Sequence, residues 1–538
     1  MNFFIRFTAF INHASSIISD KALTFSKKIY ISLIFLFIFG ILADYFLKFF
    51  LGGPEGDSYD LAINYRFTSP EPSDDIVILD IDERSLSMMA KDFGRWPWPR
   101  EVFAEVLGSI ESESPKSIIF NILITDPDLK NINGDKILDE ITSYTEKTVY
   151  PITRLSSEND SESQLYVSKI PGTTLTNNSE DKTVAVLLPF LPGMQKNMGI
   201  SNLSSDEGSI IRSYPLIYSE KDWSMKSLVG KAVELSNEEN EIKEKIYLNW
   251  RNKKGDYNRL SFSDYFLYLQ GMNDSFKFSF ENKHIIIGAS APGISSPKGT
   301  SISSYTDDNL ILATALDDAL NNTDIKLLPN ILSILITILV ISITGYLFII
   351  ESDIDVDKVF IFMEVFAAIA MYGVINLSNY FIDLTPVIAF GIIFYAVVKL
   401  ISVLGRSSLY GATNNFSTAI KSSNTNYSII PFLNSSFEKK EIINFISKLQ
   451  RKYNVSNVFL CKDQFESEKI SENLNEYSSF IVFSDSDKNL LSNDLKNTLD
   501  DKRFVNFETF KINKSLLIDK TKIEIAKNNI TEIIKLFK

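Results

Sequence analysis

Apolar residues along this chain are bunched rather than spread. Four runs reach the length of about 20 residues that an α-helix needs to cross a bilayer. They are Ile29–Leu51, Leu328–Ile349, Val359–Leu377 and Leu384–Leu404. Between the first two, short apolar stretches alternate with helical periodicity. Ile76–Ile81, Ser117–Ile124, Val184–Leu188, Ile246–Trp250 and His284–Gly288 read as buried strands. Helices are predicted over Arg100–Ile110, Trp223–Leu235 and Asn309–Leu320, with another starting at Glu83. Asp82 precedes that helix as its N-cap, a carboxylate beside free backbone N–H groups. Ser156–Asn178 is polar and has no period, which predicts a loop or insertion. Alternating strands and helices predict an α/β domain with a substantially parallel sheet.

After the fourth run the pattern changes again. Ser407–Asn434 is rich in Asn and Ser and reads as linker. Glu438–Lys452 carries Ile442, Ile443, Phe445, Ile446 and Leu449 at helical spacing. Strands around Val458–Leu460, Phe480–Phe483 and Phe504–Phe510 alternate with helices near Phe465–Leu474, Asn489–Leu499 and Ile523–Phe537. The predicted organisation is a leader (1–28), a span (29–51), an α/β domain (52–327), three spans (328–404), a linker (405–437) and a small α/β domain (438–538).

Charge orients these parts. The polar lead of 28 residues is too long for a cleaved signal, and no A-x-A site follows the first run, so that run reads as an uncleaved anchor. The leader holds Arg6, Lys21, Lys27 and Lys28 against Asp20, which keeps it cytoplasmic by the excess of cations. Four crossings return the C-terminus to the cytoplasm, with Arg406 after the last span. Glu351–Lys358 has four acids and one lysine, but acids contribute little to that rule. Asp44, Glu364 and Lys399 lie towards the ends of their spans and are expected to snorkel.

The domain at 52–327 holds 27 basic and 43 acidic residues, and 405–538 holds 20 basic and 16 acidic. The acidic balance outside argues against nucleic acid as a partner, since phosphate binding needs dense Lys and Arg. Cys461 is the single cysteine and His13 and His284 the two histidines, which excludes an internal disulfide and leaves little for imidazole chemistry. No histidine follows His284 and no glycine follows Gly411. The tail therefore lacks a phosphoacceptor histidine, a P-loop and a kinase glycine loop. Cys461 has no histidine in the tail to activate it and reads as a small buried residue. We expect no enzymatic output, no cofactor and no metal.

The run Gly94-Arg95-Trp96-Pro97-Trp98-Pro99-Arg100 follows a strand ending Ile81-Asp82 and precedes one ending Asp126-Pro127-Asp128. That order resembles the CHASE sensory domain, type 2. Tyr59-Asp60 with Arg66 after the first span, and Ile285-Ile286-Ile287-Gly288-Ala289 late in the domain, are similar to the same family. So is one span before the domain and three after it. The resemblance covers Tyr59 to Leu327 and implies an extracytoplasmic sensor domain, found in the family with bacterial cyclases and histidine kinases. It also implies possible dimerisation. The chain departs from the pattern at Asn121, where an acid is usual, and at Asn309-Leu310-Ile311-Leu312-Ala313, where a Gly-Val-Glu-x-His-Ala-like run is usual.

Pro97 and Pro99 stiffen the signature, and Trp96 and Trp98 supply apolar area for packing or for a ligand surface. Arg95 and Arg100 can pair with Asp82, Asp126 or Asp128, or hold a small anionic or polar ligand. Asp82, Arg95, Trp96, Trp98, Arg100, Asp126 and Asp128 are thus the candidate signal or ligand residues. Asp80, Asp82, Asp126 and Asp128 also allow an oxygen-rich cation site. The functional expectation is a bacterial inner-membrane receptor that passes an extracytoplasmic signal through its spans to a cytoplasmic protein partner. The alternative is an envelope assembly protein that uses a sensor-like domain for docking.

Overall fold

The computed structural model describes residues 28–47, 57–176, 181–203, 209–236, 242–251, 257–350 and 355–414, with shorter segments at 427–433, 459–461, 477–484 and 510–512. The chain divides into two units, residues 48–333 with 367–385, and residues 1–47, 334–366 and 386–538. Helices of the chain are α1 (Lys28–Leu47), α2 (Asp57–Tyr65), α3 (Glu83–Phe93), α4 (Arg100–Ser112), α5 (Ile132–Tyr144), α6 (Leu228–Leu235), α7 (Phe262–Leu269), α8 (Asp308–Asn321), α9 (Asn330–Ile350), α10 (Val356–Leu377) and α11 (Thr385–Asn414).

A seven-stranded sheet frames the first unit. Its strands are β1 (Ile76–Ile81), β2 (Ser117–Phe120), β3 (Thr148–Arg154), β4 (Val186–Leu187), β5 (Met198–Ile200), β6 (Asn258–Ser261) and β7 (His284–Ala289). The order is β6-β1-β7-β2-β3, with β4 and β5 both on β3. All pairings are parallel except that of β3 with β4. Strands covered on both faces read as unbroken apolar runs, and all six residues of β1 are buried.

Their alternation feeds two cores. Ile76, Ile78, Ile119 and Ile286 face a layer containing α2, α6 and α8, through Tyr59, Val229 and Leu316. Val77, Leu79, Phe120 and Ile287 face α3, α4, α5 and α7, through Met89, Phe103, Leu138 and Phe262. Each such side chain, fully buried, contributes about 1.5–3 kcal/mol. Helix starts are fixed as their sequences suggest. Asp82 accepts from the Ser85 N–H at 2.7 Å, and Asp307 accepts from that of Leu310 at 3.0 Å. Gly94 ends α3 at φ +75°, a conformation open to glycine.

Several expectations change. Trp223–Leu235 is a strand, Trp223–Lys226, followed by α6, because Ser227 caps the helix there, accepting from Gly230. The strand predicted at Ser117–Ile124 ends at Phe120, and that at Ile246–Trp250 is Lys245–Tyr247. The segment read as loop at Ser156–Asn178 contains two 3-10 turns and a short strand, Thr173–Leu175. That strand pairs with Trp223–Lys226. The helix α5 and the strands β3 and β6 lie where no element was expected.

In the second unit α1, α9 and α11 share an apolar cluster that includes Ile41, Ile341, Phe394 and Val398. Asp357 of α10 accepts from Lys399 of α11 at 2.5 Å. Glu364 does not snorkel: it is 9% exposed. Gly391 of α11, lacking a side chain, lets that helix close over its carboxylate. Further along, Tyr427–Leu433, Phe459–Cys461, Tyr477–Ser484 and Phe510–Ile512 form an antiparallel four-stranded sheet. The first of these strands, and α11 as far as Asn414, occupy parts of the segment read as linker. The helices expected after Glu438 lie outside the described residues.

Two glycines admit the approach of backbone to backbone. A Cβ on Gly230 would stand 2.1 Å from the Leu216 carbonyl oxygen, and one on Gly199 2.7 Å from the Leu228 backbone. Neither neighbour can swing aside, so Gly230→Ala and Gly199→Ala should each cost about 1–3 kcal/mol. Gly40→Ala, which meets nothing within 4 Å, should leave stability unchanged. Denaturant midpoints of the full chain in detergent would test this, and equal midpoints for all three variants would refute it.

His284 opens β7, 1% exposed, with Nδ1 2.8 Å from the Ser117 hydroxyl. Burial, aided by the Lys116 charge, lowers its pKa to about 4. The unfolded chain takes up this proton near pH 6.5 and the folded chain only near 4, so its stabilising contribution is complete above 6.5 and drains away as pH falls to 4. The ceiling is about 3 kcal/mol. Wild type should therefore lose more stability than His284→Asn across that window, and parallel pH profiles would count against it.

Candidate functional site

The signature segment is held mainly by aromatic packing. Trp98 is 2% exposed and stacks on Phe262 at 5.5 Å and on Phe103 at 6.4 Å. Trp96, half-buried, meets Trp98 edge-on at 5.2 Å. The Trp96–Pro97 peptide bond is cis. Arg100 lies 3.5 Å from the Asp135 carboxylate and reaches only the backbone oxygen of Asp126. Its acidic neighbour is thus Asp135, on a helix that the apolar pattern did not reveal. Arg95 is exposed and forms no ion pair among the described residues. Asp126 accepts from Thr125, and Asp128 accepts from the N–H groups of Lys130 and Asn131, as a turn residue does. The structure therefore brings Trp96 and Trp98 together and engages Asp82 elsewhere.

Asp82 belongs to a polar cluster at the carboxyl edge of the sheet, the edge where open α/β sheets take ligands. It accepts from the hydroxyls of Ser85 and Ser261 at 2.7 and 2.9 Å. Beside it Arg259 donates to Asp80 at 2.7 Å and to both oxygens of Asp307 at 3.0 and 2.8 Å. Asp80 also accepts from Ser290 at 2.6 Å. Burial raises the Asp80 pKa, and the Ser290 and Arg259 bonds oppose the rise. Gly288 leaves room for the buried Asn309 side chain, where a Cβ would stand 2.1 Å from Oδ1. Arg259, Asp307 and Ser290 were missed, since each comes from a different strand end or helix cap and no local spacing links them. Among the described residues no group of three or more His, Cys, Asp or Glu is placed to hold a metal ion.

A second cluster joins the domain to helix ends in the same unit. Arg251, 7% exposed, donates to Asp318 and lies 3.1 Å from Asp317. Asp318 also accepts from the Asn249 N–H at 2.7 Å and from Thr323 at 2.8 Å. Tyr257 donates to Asp317 at 2.9 Å. Burial pushes Asp318 up to about 6, against the pull of Arg251. Arg66, a residue of the family-like pattern, donates to Asn249 at 2.5 Å and to the Trp250 carbonyl. Two residues on, Thr68 donates to the Asn376 carbonyl of α10, and the Phe67 N–H donates to the Asn376 side chain at 2.9 Å. Lys326 and Leu327 pair in parallel with Tyr380 and Phe381, between α10 and α11. Asn249 completes the clasp by donating to Asn379 at 3.3 Å.

The two arginines differ in worth. Removing Arg251 strands two carboxylates that are nearly inaccessible, whereas Arg259 is 29% exposed along its side chain. Arg251→Met should cost about 3–5 kcal/mol, and Arg259→Met about 1 kcal/mol. Equilibrium unfolding of the full chain checks the order, and a larger loss from Arg259→Met would reverse the ranking of the two sites.

Comparison with known proteins agrees with this architecture. The CHASE2 domain matches residues 33–347, from α1 through the α/β unit into α9. No curated protein and no solved structure matches the chain. CHASE2 is an extracellular sensor-domain family, and α1, α9, α10 and α11 are long and apolar enough to cross a membrane. With its parallel sheet, its Trp-Pro signature and a match over more than half its length, the chain belongs to the CHASE2 domain family.

Proposed function

We propose that this protein is a bacterial inner-membrane receptor that senses an extracytoplasmic condition and relays it to a cytoplasmic protein through residues 405–538, without catalysing a reaction itself. The observation that carries this reading is the clasp: Thr68 with Asn376, and Lys326–Leu327 with Tyr380–Phe381. Residues 367–385 belong to the same unit as the sheet. A rearrangement of the domain thereby acts directly on the end of α10 and the start of α11, with no slack segment between. The N-in, C-in topology follows from the leader cations and accords with the clasp, because it puts the 378–384 turn on the domain's side. Exposed Tyr65, Phe67 and Tyr380 suit the interfacial belt where aromatic residues collect. A signal shifts such an equilibrium only if it favours one of two states.

Photocrosslinkers placed in residues 405–538 of the full chain, in intact cells, test the relay. The expected result is capture of a cytoplasmic kinase, cyclase or regulator, with a yield that changes severalfold in Asn376→Ala. Capture of envelope-machinery subunits, at a yield indifferent to Asn376→Ala, would instead establish the assembly role.

A further inference from the structure

The α10 and α11 helices run antiparallel and meet in a regular ladder. Asp357 takes Lys399 at 2.5 Å and Tyr395 at 2.7 Å. One turn on, Phe360 stacks on Tyr395 at 4.1 Å between ring centroids and 4° between planes. One turn further, Glu364 faces Gly391, where a Cβ would stand 2.1 Å from Oε1. The cationic rung is thus at Asp357, and Glu364 lies seven residues beyond it, about 10 Å along the helix.

Glu364 is nine-tenths buried, and both of its oxygens lack any hydrogen-bond partner among the described residues. On the facing helix Tyr395 and Lys399 are already engaged by Asp357, and Arg406 and Tyr410 come further along α11, towards its C-terminal end. The helix α9 has no charged residue, and α1 has only Lys28 and Asp44, near its two ends. A bare carboxylate in such a setting is costly, whereas a neutral carboxylic acid is far less so. Metal ions need several ligands, and among the described residues no group of three or more His, Cys, Asp or Glu is placed to hold one.

We propose that Glu364 is a proton-binding site within the span bundle, occupied when α10 and α11 are packed as seen here. Binding is the transfer of one proton from water to a carboxylate oxygen. Release regenerates the carboxylate and requires the helices to part at Gly391 so that water can solvate it. Proton occupancy and helix packing are therefore linked. The inference stands independently of the receptor reading, since it depends on the α10–α11 contact alone.

Infrared spectra of the full chain in phosphatidylethanolamine–phosphatidylglycerol vesicles test it, read as the difference between wild type and Glu364→Gln. The expected difference at neutral pH is a protonated carboxyl band, shifted in heavy water and lost as pH rises. Dicyclohexylcarbodiimide, which attacks protonated carboxyls in apolar surroundings, should label Glu364 in unmodified protein, in yields that fall with rising pH. This second measurement needs no variant to fold. A carboxylate band in place of the protonated one at neutral pH, with Glu364 unlabelled, would show an ionised or ion-paired side chain and overturn the proposal.

Discussion

The buried guanidinium of Arg251 ties the end of α8 to separate stretches of the first unit. Taking a charge out of water costs several kcal/mol, recovered only if the partners are close and their remaining hydrogen bonds are filled. Arg251 has close partners in Asp317 and Asp318 on the last turns of α8, although its buried Nε has no hydrogen-bond partner among the described residues. Those carboxylates in turn need Tyr257, Thr323 and the Asn249 N–H. Each donor comes from a different stretch of chain, so satisfying one ion fixes the ends of several elements. Apolar packing has no such directionality. It assembles the layers on the sheet, while the Arg251 cluster sets where α8 must stop and how the chain leaves for α9.

The clasp extends this logic towards the spans. Asn249 sits between the two arginines, accepting from Arg66, donating its N–H to Asp318 and its amide to Asn379. Arg66 is thereby linked through one side chain to the α8 terminus and to the turn after α10. Networks of buried polar groups rigidify a junction and become expensive when partly broken. That combination suits a joint with two discrete arrangements better than an oily contact, which can slide.

What was legible in the sequence follows from how local its cause was. The four spans, β1, β7, α4, α8 and the Asp82 cap show in short contiguous runs, because burial on one or two faces writes itself into local pattern. The strand β3 was hidden by Pro151, which removes a ladder donor. In the structure Thr148 and Val149 pair with β2 before the proline, and Tyr150 to Ile152 pair with β5. The edge strand β6, Asn-Arg-Leu-Ser, is polar because only part of it is covered. Trp223–Leu235 looked continuous because apolar residues cross the Ser227 cap without a break. The functional clusters were less legible than the fold. Arg66 was visible only through family resemblance, and Arg251 lies 67 positions from Asp318, so no spacing rule joins them.

The signature itself shows why motif and site need not coincide. Its two tryptophans lie against Phe103 and Phe262, from α4 and α7, and so fasten two neighbouring helices over the sheet. Arg100 is drawn to α5 by Asp135, leaving Arg95 as the cation of that segment open to solvent. At the carboxyl edge, Arg259 neutralises Asp80 and Asp307 within the fold, so a ligand there must compete with an existing ion pair. A ligand that replaced one of those carboxylates at Arg259 would loosen the tie between β6 and the start of α8. The far end of that helix carries Asp317 and Asp318. Helix α8 thus has one end at the candidate ligand edge and the other in the clasp, so the two clusters share a single rigid element.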